Sequence, residues 1–157
     1  MRFFAALALV ALLIVHAAAS PVAASPVGSF PVWTQFGQSG SFYGASASGI
    51  GDVNGDGYDD VAVGAQFYDN GETDEGGVWV YFGSPAGPDT AADWHAESNQ
   101  TNAQMGYSVD GAGDVNDDGF DDLLIGIPVA NRAQLYLGSA AGPALSPSSE
   151  SRKEYAM

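Results

Sequence analysis

The stretch GDVNGDGYDD, residues 51–60, places five carboxylate or amide side chains within ten positions. Like charges this close together repel one another, so the stretch requires a compensating interaction. It occurs a second time, as GDVNDDGFDD at residues 113–122. Two copies in matching register indicate a repeated structural unit rather than a single acidic turn.

The duplication extends well beyond the acidic stretch. Residues 43–65 align with residues 105–127 at a constant offset of 62, and YFGSPAGP (81–88) aligns with YLGSAAGP (136–143) at an offset of 55. The second copy is therefore seven residues shorter between these two blocks. Agreement of this extent identifies an internal repeat.

The N-terminal residues predict a secretory signal peptide. Arg2 is followed by an apolar run over residues 3–15, and then by small residues that suit cleavage after Ala19 or Ala24. The run is shorter than the ~20 apolar residues that span a bilayer, which disfavours a membrane anchor. We therefore expect a secreted, extracellular protein that is not inserted in a membrane once the signal is removed.

These patterns divide the chain into three segments. They are a signal peptide at 1–24, a domain at 25–143 with repeats at about 33–88 and 94–143, and an irregular tail at 144–157.

Composition restricts the class of partner. The chain has 19 Asp plus Glu against 4 Lys plus Arg, a net charge of −15. Such a surface repels nucleic acid and anionic lipid and attracts cations. Cysteine is absent, so disulfides cannot stabilise the protein outside the cell.

Each repeat predicts short strands joined by turns. Short β-branched and aromatic runs alternate with glycine, and beyond the signal no apolar i, i+3, i+4 stripe indicates a helix. The expected strands are residues 45–50, 61–64, 77–82 and 94–97 in the first repeat, and 107–112, 123–127 and 133–137 in the second. Four strands in ~60 residues form one blade of a β-propeller, so the predicted fold class is all-β with propeller blades of four short antiparallel strands.

The acidic stretches have the composition of calcium loops. Counted from the first Asp, side-chain oxygens occupy positions 1, 3, 5 and 9, position 7 can offer its carbonyl, and glycine at position 6 permits a sharp turn. Ca²⁺ takes 6–8 such oxygens, whereas Mg²⁺ keeps its own waters, and zinc and copper favour the His or Cys ligands that these loops lack. The predicted ligands are Asp52, Asn54, Asp56, Tyr58 (carbonyl) and Asp60 in the first loop, and Asp114, Asn116, Asp118, Phe120 (carbonyl) and Asp122 in the second.

The loops differ from an EF-hand. An EF-hand loop needs a bidentate Glu at position 12, where this chain has Val63 and Ile125, and strands follow the loops instead of helices. Asp59 and Asp121, at position 8, are expected to be exposed rather than to bind the ion. Because all ligands of a loop are local in sequence, we expect about two Ca²⁺ ions, bound independently.

The chain resembles the FG-GAP repeats of integrin alpha-subunit propellers and their bacterial secreted relatives. The resemblance lies in the acidic motif Asp-x-Asn-x-Asp-Gly-x-x-Asp, which is intact in both copies, and in the flanking pairs that correspond to FG and GAP. Those flanking residues are Tyr43-Gly44 and Gly64-Ala65-Gln66 in the first copy, and Met105-Gly106 and Gly126-Ile127-Pro128 in the second. The resemblance implies blades whose first hairpin holds structural Ca²⁺. It also implies that partners approach the opposite face, formed by the loops between strands 2 and 3 and between strands 4 and 1.

Two blades make an incomplete propeller. Propellers of this family usually have seven blades, and a pair of blades leaves two apolar faces uncovered. We therefore expect the chain to self-associate, completing a propeller, or to be weakly folded.

The function predicted from the sequence is an extracellular, calcium-stabilised binding or adhesion module, not an enzyme. No Cys nucleophile is present, no Ser-His-Asp set has a placed histidine, and carboxylates that bind calcium are not free general bases. The partner is expected to be an extracellular protein or glycan. Two alternatives stay open, a lectin-like glycan-binding propeller fragment and a non-catalytic fragment of a larger repeat protein. Trp79 and Tyr81 are expected to pack within the blade rather than to form a sugar platform.

Overall fold

The computed structural model describes residues 33–148, so the predicted signal peptide at 1–24 and the tail beyond residue 148 lie outside the described residues. Strands and turns make up this part of the chain, which contains no helix long and apolar enough to cross a membrane. The strands are β1 (Ser46–Gly51), β2 (Asp60–Ala65), β3 (Gly77–Tyr81), β4 (Trp94–Glu97), β5 (Ser108–Gly113), β6 (Asp122–Ile127) and β7 (Arg132–Tyr136). Every strand expected from the sequence is present, and no end differs from the expectation by more than one residue.

The strands form two antiparallel sheets, each with its strands in sequential order. Sheet 1 has the order β1-β2-β3-β4 and sheet 2 the order β5-β6-β7. Apolar residues occupy facing positions, as where Ala62 lies opposite Val80 and Val109 opposite Ile125. This up-and-down order within each repeat confirms the prediction of all-β blades of an incomplete propeller.

Sheet 2 has three strands among the described residues, whereas four were predicted for each repeat. The chain nevertheless returns along β7, because the Ser148 N–H donates to the Leu135 carbonyl at 2.8 Å. In sheet 1 the Asp93 N–H, directly before β4, donates to the Val80 carbonyl at 2.9 Å in the same way. Ser148 thus holds the place beside β7 that Asp93 holds beside β3.

The core lies between the two sheets. Sheet 1 contributes Val80 from β3, and sheet 2 contributes Leu123 and Ile125 from β6, all with no exposed surface. Strands β1 and β5 make most of the contact between the sheets. A Cβ on Gly111 would lie 2.9 Å from the Ile50 backbone, so this approach requires glycine. The repeats thus pack side by side through apolar faces, as neighbouring blades do.

Aromatic side chains of the first repeat cover the outer face of sheet 1. The Trp79 ring stacks on His95 with a centroid distance of 4.5 Å, and Tyr43 and Tyr68 meet it edge-on at 5.3 and 4.9 Å. Tyr81 is only 5% exposed and donates or accepts a 2.6 Å hydrogen bond with the Tyr43 hydroxyl. The prediction that Trp79 and Tyr81 pack within the blade is confirmed.

Among residues 33–148, the outer face of sheet 2 is left open. Leu124 of β6 is 40% exposed, whereas Ala62, which holds the same place in sheet 1, is fully buried against sheet 2. On the outer face of sheet 1, the aromatic rings of the first repeat bury Tyr81 but leave His95 exposed, so the expectation of an uncovered face is met there only in part. It holds for the second repeat within the described residues.

Candidate metal sites

A β-bulge precedes each acidic stretch. In β1 the pairing passes from Gly49 to Gly51, so that Ile50 is left unpaired and its side chain enters the core. In β5 the same irregularity falls between Gly111 and Gly113. Gly51 and Gly113 have φ values of 74° and 68°, which favour glycine. The bulge ends the regular pairing and directs the chain into the acidic loop.

The two acidic loops follow the same backbone path. Loop 1 (52–60) joins β1 to β2, and loop 2 (114–122) joins β5 to β6. Their glycines at position 6, Gly57 and Gly119, have φ values of 91° and 92°. The sharp turn predicted at position 6 is confirmed in both loops.

The first aspartate of loop 1 organises the turn from inside. Asp52 Oδ1 accepts hydrogen bonds from the Gly55 and Asp56 N–H groups at 2.7 and 3.0 Å, and its Oδ2 accepts one from Gly57 at 2.8 Å. These bonds gather otherwise unpaired backbone donors around one carboxylate.

Asp114 does the same in loop 2. Its carboxylate oxygens accept hydrogen bonds from the Gly119 and Asp118 N–H groups at 2.7 and 3.0 Å. The bond from Gly119, followed by further backbone N–H groups of the loop, lowers the pKa of Asp114 because it favours the ionised form. A carboxylate held ionised in this way suits a cation ligand.

The last aspartate of each loop is buried. Asp60 and Asp122 have no exposed surface, and each carboxylate spans two backbone donors. The donors are Val53 (3.0 Å) and Gly83 (2.8 Å) for Asp60, and Val115 (2.9 Å) and Gly138 (2.8 Å) for Asp122. Burial raises the pKa of Asp60, while the hydrogen bonds from Gly83 and Val53 act in the opposite direction. Each of these aspartates therefore ties the end of its loop to the start of the same loop and to the segment that follows the third strand of its sheet.

The middle positions complete the likeness of the loops. The Asn54 amide nitrogen donates to the Asp56 carboxylate at 3.0 Å, and Asn116 donates to Asp118 at 2.8 Å. Tyr58, at position 7, is 43% exposed, so its ring leaves the inside of the loop free.

The structure describes the loops and their donors, but the metal sites stay a prediction. Within residues 33–148, no three or more His, Cys, Asp or Glu side chains are placed so that together they could hold a metal ion. The carboxylates at positions 1, 5 and 9 of each loop are turned toward backbone N–H groups instead. The donor set itself is made of hard oxygens and fits calcium.

The two position-8 aspartates differ. Asp59 is exposed, as expected. The same expectation is wrong for Asp121, which is half-buried and accepts a hydrogen bond from the Asp52 N–H of loop 1 at 2.9 Å. The repeat pattern does not predict this contact, because among the described residues only loop 2 lies beside a preceding acidic loop.

Sequence reasoning also missed Glu75. Glu75 lies in the segment 65–77, which carries the seven extra residues of the first copy, and it has no exposed surface. Its carboxylate accepts N–H groups of Asn70 at 2.6 Å and Asn99 at 3.2 Å. The loop is thereby attached to the connection between β4 and β5. Its extra length was the one signal available in the sequence.

Comparison with known proteins agrees with this geometry. The FG-GAP repeat model matches residues 43–81 and 105–142. Integrin alpha-PS5 of Drosophila melanogaster is 38% identical over 104 residues, which cover 62% of this chain and 10% of that protein. Integrin alpha-PS2 of the same fly is 34% identical over 125 residues, 71% of this chain and 9% of that protein. Integrin alpha-5 of Xenopus laevis is 31% identical over 100 residues, covering 61% of this chain and 9% of that protein.

The chain thus spans about a tenth of the length of these integrin alpha subunits. The matched segments include both acidic loops and the bulges that precede them. On its two matched repeats and its paired sheets, the chain is an FG-GAP repeat protein.

Proposed function

We propose that the chain is an extracellular, calcium-stabilised binding module of the adhesion type, in which each acidic loop holds one structural Ca²⁺. One observation carries the proposal. The two loops have the same candidate ligands, the same left-handed turn at position 6 and the same pair of backbone N–H donors to the position-9 aspartate.

The residues of each loop that would hold the ion are those at positions 1, 3, 5, 7 and 9. Between residues 33 and 131 the sequence contains no Lys or Arg, so no basic side chain of this segment neutralises the loops. Bound Ca²⁺ would supply that positive charge, and it would compete with the Asn54 and Asn116 amide donors for the Asp56 and Asp118 carboxylates. The ion therefore stabilises the hairpin and is not a reaction centre.

The binding role rests on the similarity to integrin alpha subunits and on the chemistry of the loops. The acidic groups of the loops are committed to backbone N–H donors, which supports a binding module rather than an enzyme. A secreted location rests on the sequence of residues 1–24. The partner is proposed to be an extracellular protein or glycan that approaches the face formed by the β2–β3 and β4–β5 connections.

Isothermal calorimetry of the full chain tests the calcium assignment. We expect about two Ca²⁺ per chain with dissociation constants of order 10⁻⁴–10⁻³ M. Asp56→Ala should impair the loop 1 site and Asp118→Ala the loop 2 site. Asp89→Ala, which removes an exposed carboxylate outside both loops, should preserve both. Absence of calcium heats at millimolar concentration, or equal binding of Mg²⁺, would overturn the proposal.

A further inference from the structure

The two acidic loops are in direct contact, although 69 residues separate the groups that meet. Asp121 Oδ2 accepts the Asp52 N–H at 2.9 Å, and the Asp121 N–H donates to the Asp52 carbonyl at 3.1 Å. A Cβ on Gly51 would lie 2.0 Å from Asp121 Oδ2, so glycine is required for this approach. Asp121 of loop 2 therefore fixes the backbone of Asp52, the first residue of loop 1.

A second connection joins the position-9 aspartates. The Gly138 N–H donates to Asp122 Oδ1 at 2.8 Å, and the N–H of the next residue, Ser139, donates to the Val53 carbonyl at 3.0 Å. The Val53 N–H in turn donates to Asp60 Oδ2 at 3.0 Å. Gly138 and Ser139 therefore connect the last aspartate of loop 2 to Val53, which in turn bonds to the last aspartate of loop 1.

The contact uses Asp121 of loop 2 but not the equivalent residue of loop 1. Asp59 holds the place in loop 1 that Asp121 holds in loop 2, but it is exposed and makes no corresponding hydrogen bond among residues 33–148. The two residues are thus a matched pair, with the same motif position and charge. They differ in contact with a neighbouring loop.

We propose that Asp121 is a positioning residue that couples the two calcium loops. A Ca²⁺ ion bound in one loop then favours the calcium-binding conformation of the other loop. The inference rests on the proposed calcium binding. Coupling between binding sites is reciprocal, so calcium in either loop raises the affinity of the other. The two sites are then not independent, in contrast to the expectation from the sequence.

Calcium titrations followed by amide NMR separate the two loops, because Gly57 reports on loop 1 and Gly119 on loop 2. Because the coupling is reciprocal, Asp121→Ala should raise the calcium concentration at the Gly57 midpoint and at the Gly119 midpoint by a similar factor, about tenfold. Asp121→Asn, which keeps an oxygen acceptor for the Asp52 N–H, should restore most of the loop 1 affinity. Asp59→Ala, the matched control, should move neither midpoint by more than about threefold.

Hydrogen exchange without calcium tests the contact by itself. We expect exchange of the Asp52 amide to be about tenfold faster in Asp121→Ala and unchanged in Asp59→Ala. Unchanged Asp52 exchange, or a midpoint shift at only one of the two glycines, would overturn the coupling and leave calcium binding intact. No calcium response at either glycine in the unaltered chain would instead overturn the proposed function, and the coupling of ion sites with it.

Discussion

At the scale of single residues, Trp94 buries a donor without an acceptor. Its side chain is 6% exposed, packs edge-on against Tyr136 with a centroid distance of 5.2 Å, and belongs to the core between the sheets. Within residues 33–148 its indole Nε1–H meets no hydrogen-bond partner. A buried polar group without a partner costs about 1–3 kcal/mol of stability. Burial of the ring therefore stabilises the fold, whereas burial of its N–H destabilises it.

Trp94→Phe should therefore leave the free energy of unfolding within about 1 kcal/mol of the unaltered protein, because the lost contact area is offset by removal of the unpaired N–H. Trp94→Ala should lower it by about 3–5 kcal/mol, because it leaves a cavity. Urea unfolding measures both. Equal losses for the two variants would show that the N–H has a partner in solution.

His95 gives the stability a dependence on pH. Partial shielding from water, on the side where the imidazole stacks on Trp79, lowers the pKa of His95 from its ordinary value of 6.5, while Glu97 acts in the opposite direction. Below the unfolded-state pKa the unfolded chain binds the proton more readily than the folded one. The neutral ring therefore contributes stability that is present above about pH 6.5 and is lost as the pH falls through the folded-state pKa.

His95→Phe, which keeps an aromatic ring over Trp79, should remove this part of the pH dependence. We expect the midpoint of thermal unfolding to change less between about pH 5 and pH 7 in the variant than in the unaltered chain. A control, His95→Gln, removes titration without a ring and should flatten the profile at lower stability. An unchanged slope in both variants would contradict the assignment to His95.

At the scale of elements, the loop between β2 and β3 is a structural connector. Besides the Glu75 side-chain bonds, the Met105 N–H donates to the Glu75 carbonyl at 3.0 Å and the Asn102 N–H donates to Thr73 at 2.7 Å. The loop thus ties sheet 1 to the segment that enters sheet 2. The carboxylate at its centre replaces the solvent that a surface loop would use.

Glu75→Ala should lower the free energy of unfolding by about 2 kcal/mol or more, because the N–H groups of Asn70 and Asn99 lose their charged acceptor. Glu72→Ala, in the same loop, is the control and should change it by less than about 0.5 kcal/mol. Hydrogen exchange should locate the change at Asn70 and Asn99. An equal effect of the two substitutions would mean that loss of charge, and not loss of the hydrogen bonds, is responsible.

At the scale of the whole molecule, calcium should determine the stability of the proposed module. Each loop concentrates carboxylates, and like charges at ~4 Å cost about 4 kcal/mol per pair at an effective dielectric of 20. An ion that binds only the folded form adds about 2.7 kcal/mol per site at a concentration one hundred times its dissociation constant. We expect the melting temperature to rise with the logarithm of free Ca²⁺ and to fall with chelator, with Asp56→Ala/Asp118→Ala insensitive to both.

The open face of sheet 2 predicts self-association. The equivalent face of sheet 1 is covered by a neighbouring sheet, whereas Leu124 stays 40% exposed and Leu135 beside it is half-buried. Sedimentation velocity should show concentration-dependent association that Leu124→Lys abolishes. Val129→Lys, at an exposed position in the β6–β7 turn, is the control and should preserve it. A monomer at every concentration would contradict this prediction.

The sequence by itself determined the elements of this protein. The offset of 62 between copies, glycine at the bulges and at position 6, and β-branched residues after each loop specify strands and turns that depend on neighbours in sequence. The FG-GAP resemblance and the candidate ligands follow from the same local spacing. The metal itself stays a prediction.

Only the tertiary structure decided which copies of a repeated residue are equivalent. Asp59 and Asp121 are the same residue type at the same motif position, yet Asp59 is exposed and Asp121 accepts a hydrogen bond from the Asp52 N–H. Glu75 is buried and bonds to the connection after β4, and Tyr43 and Tyr68 pack against Trp79 on the outer face of sheet 1. Each difference arises from contacts between segments far apart in the chain, which the local spacing of residues cannot predict.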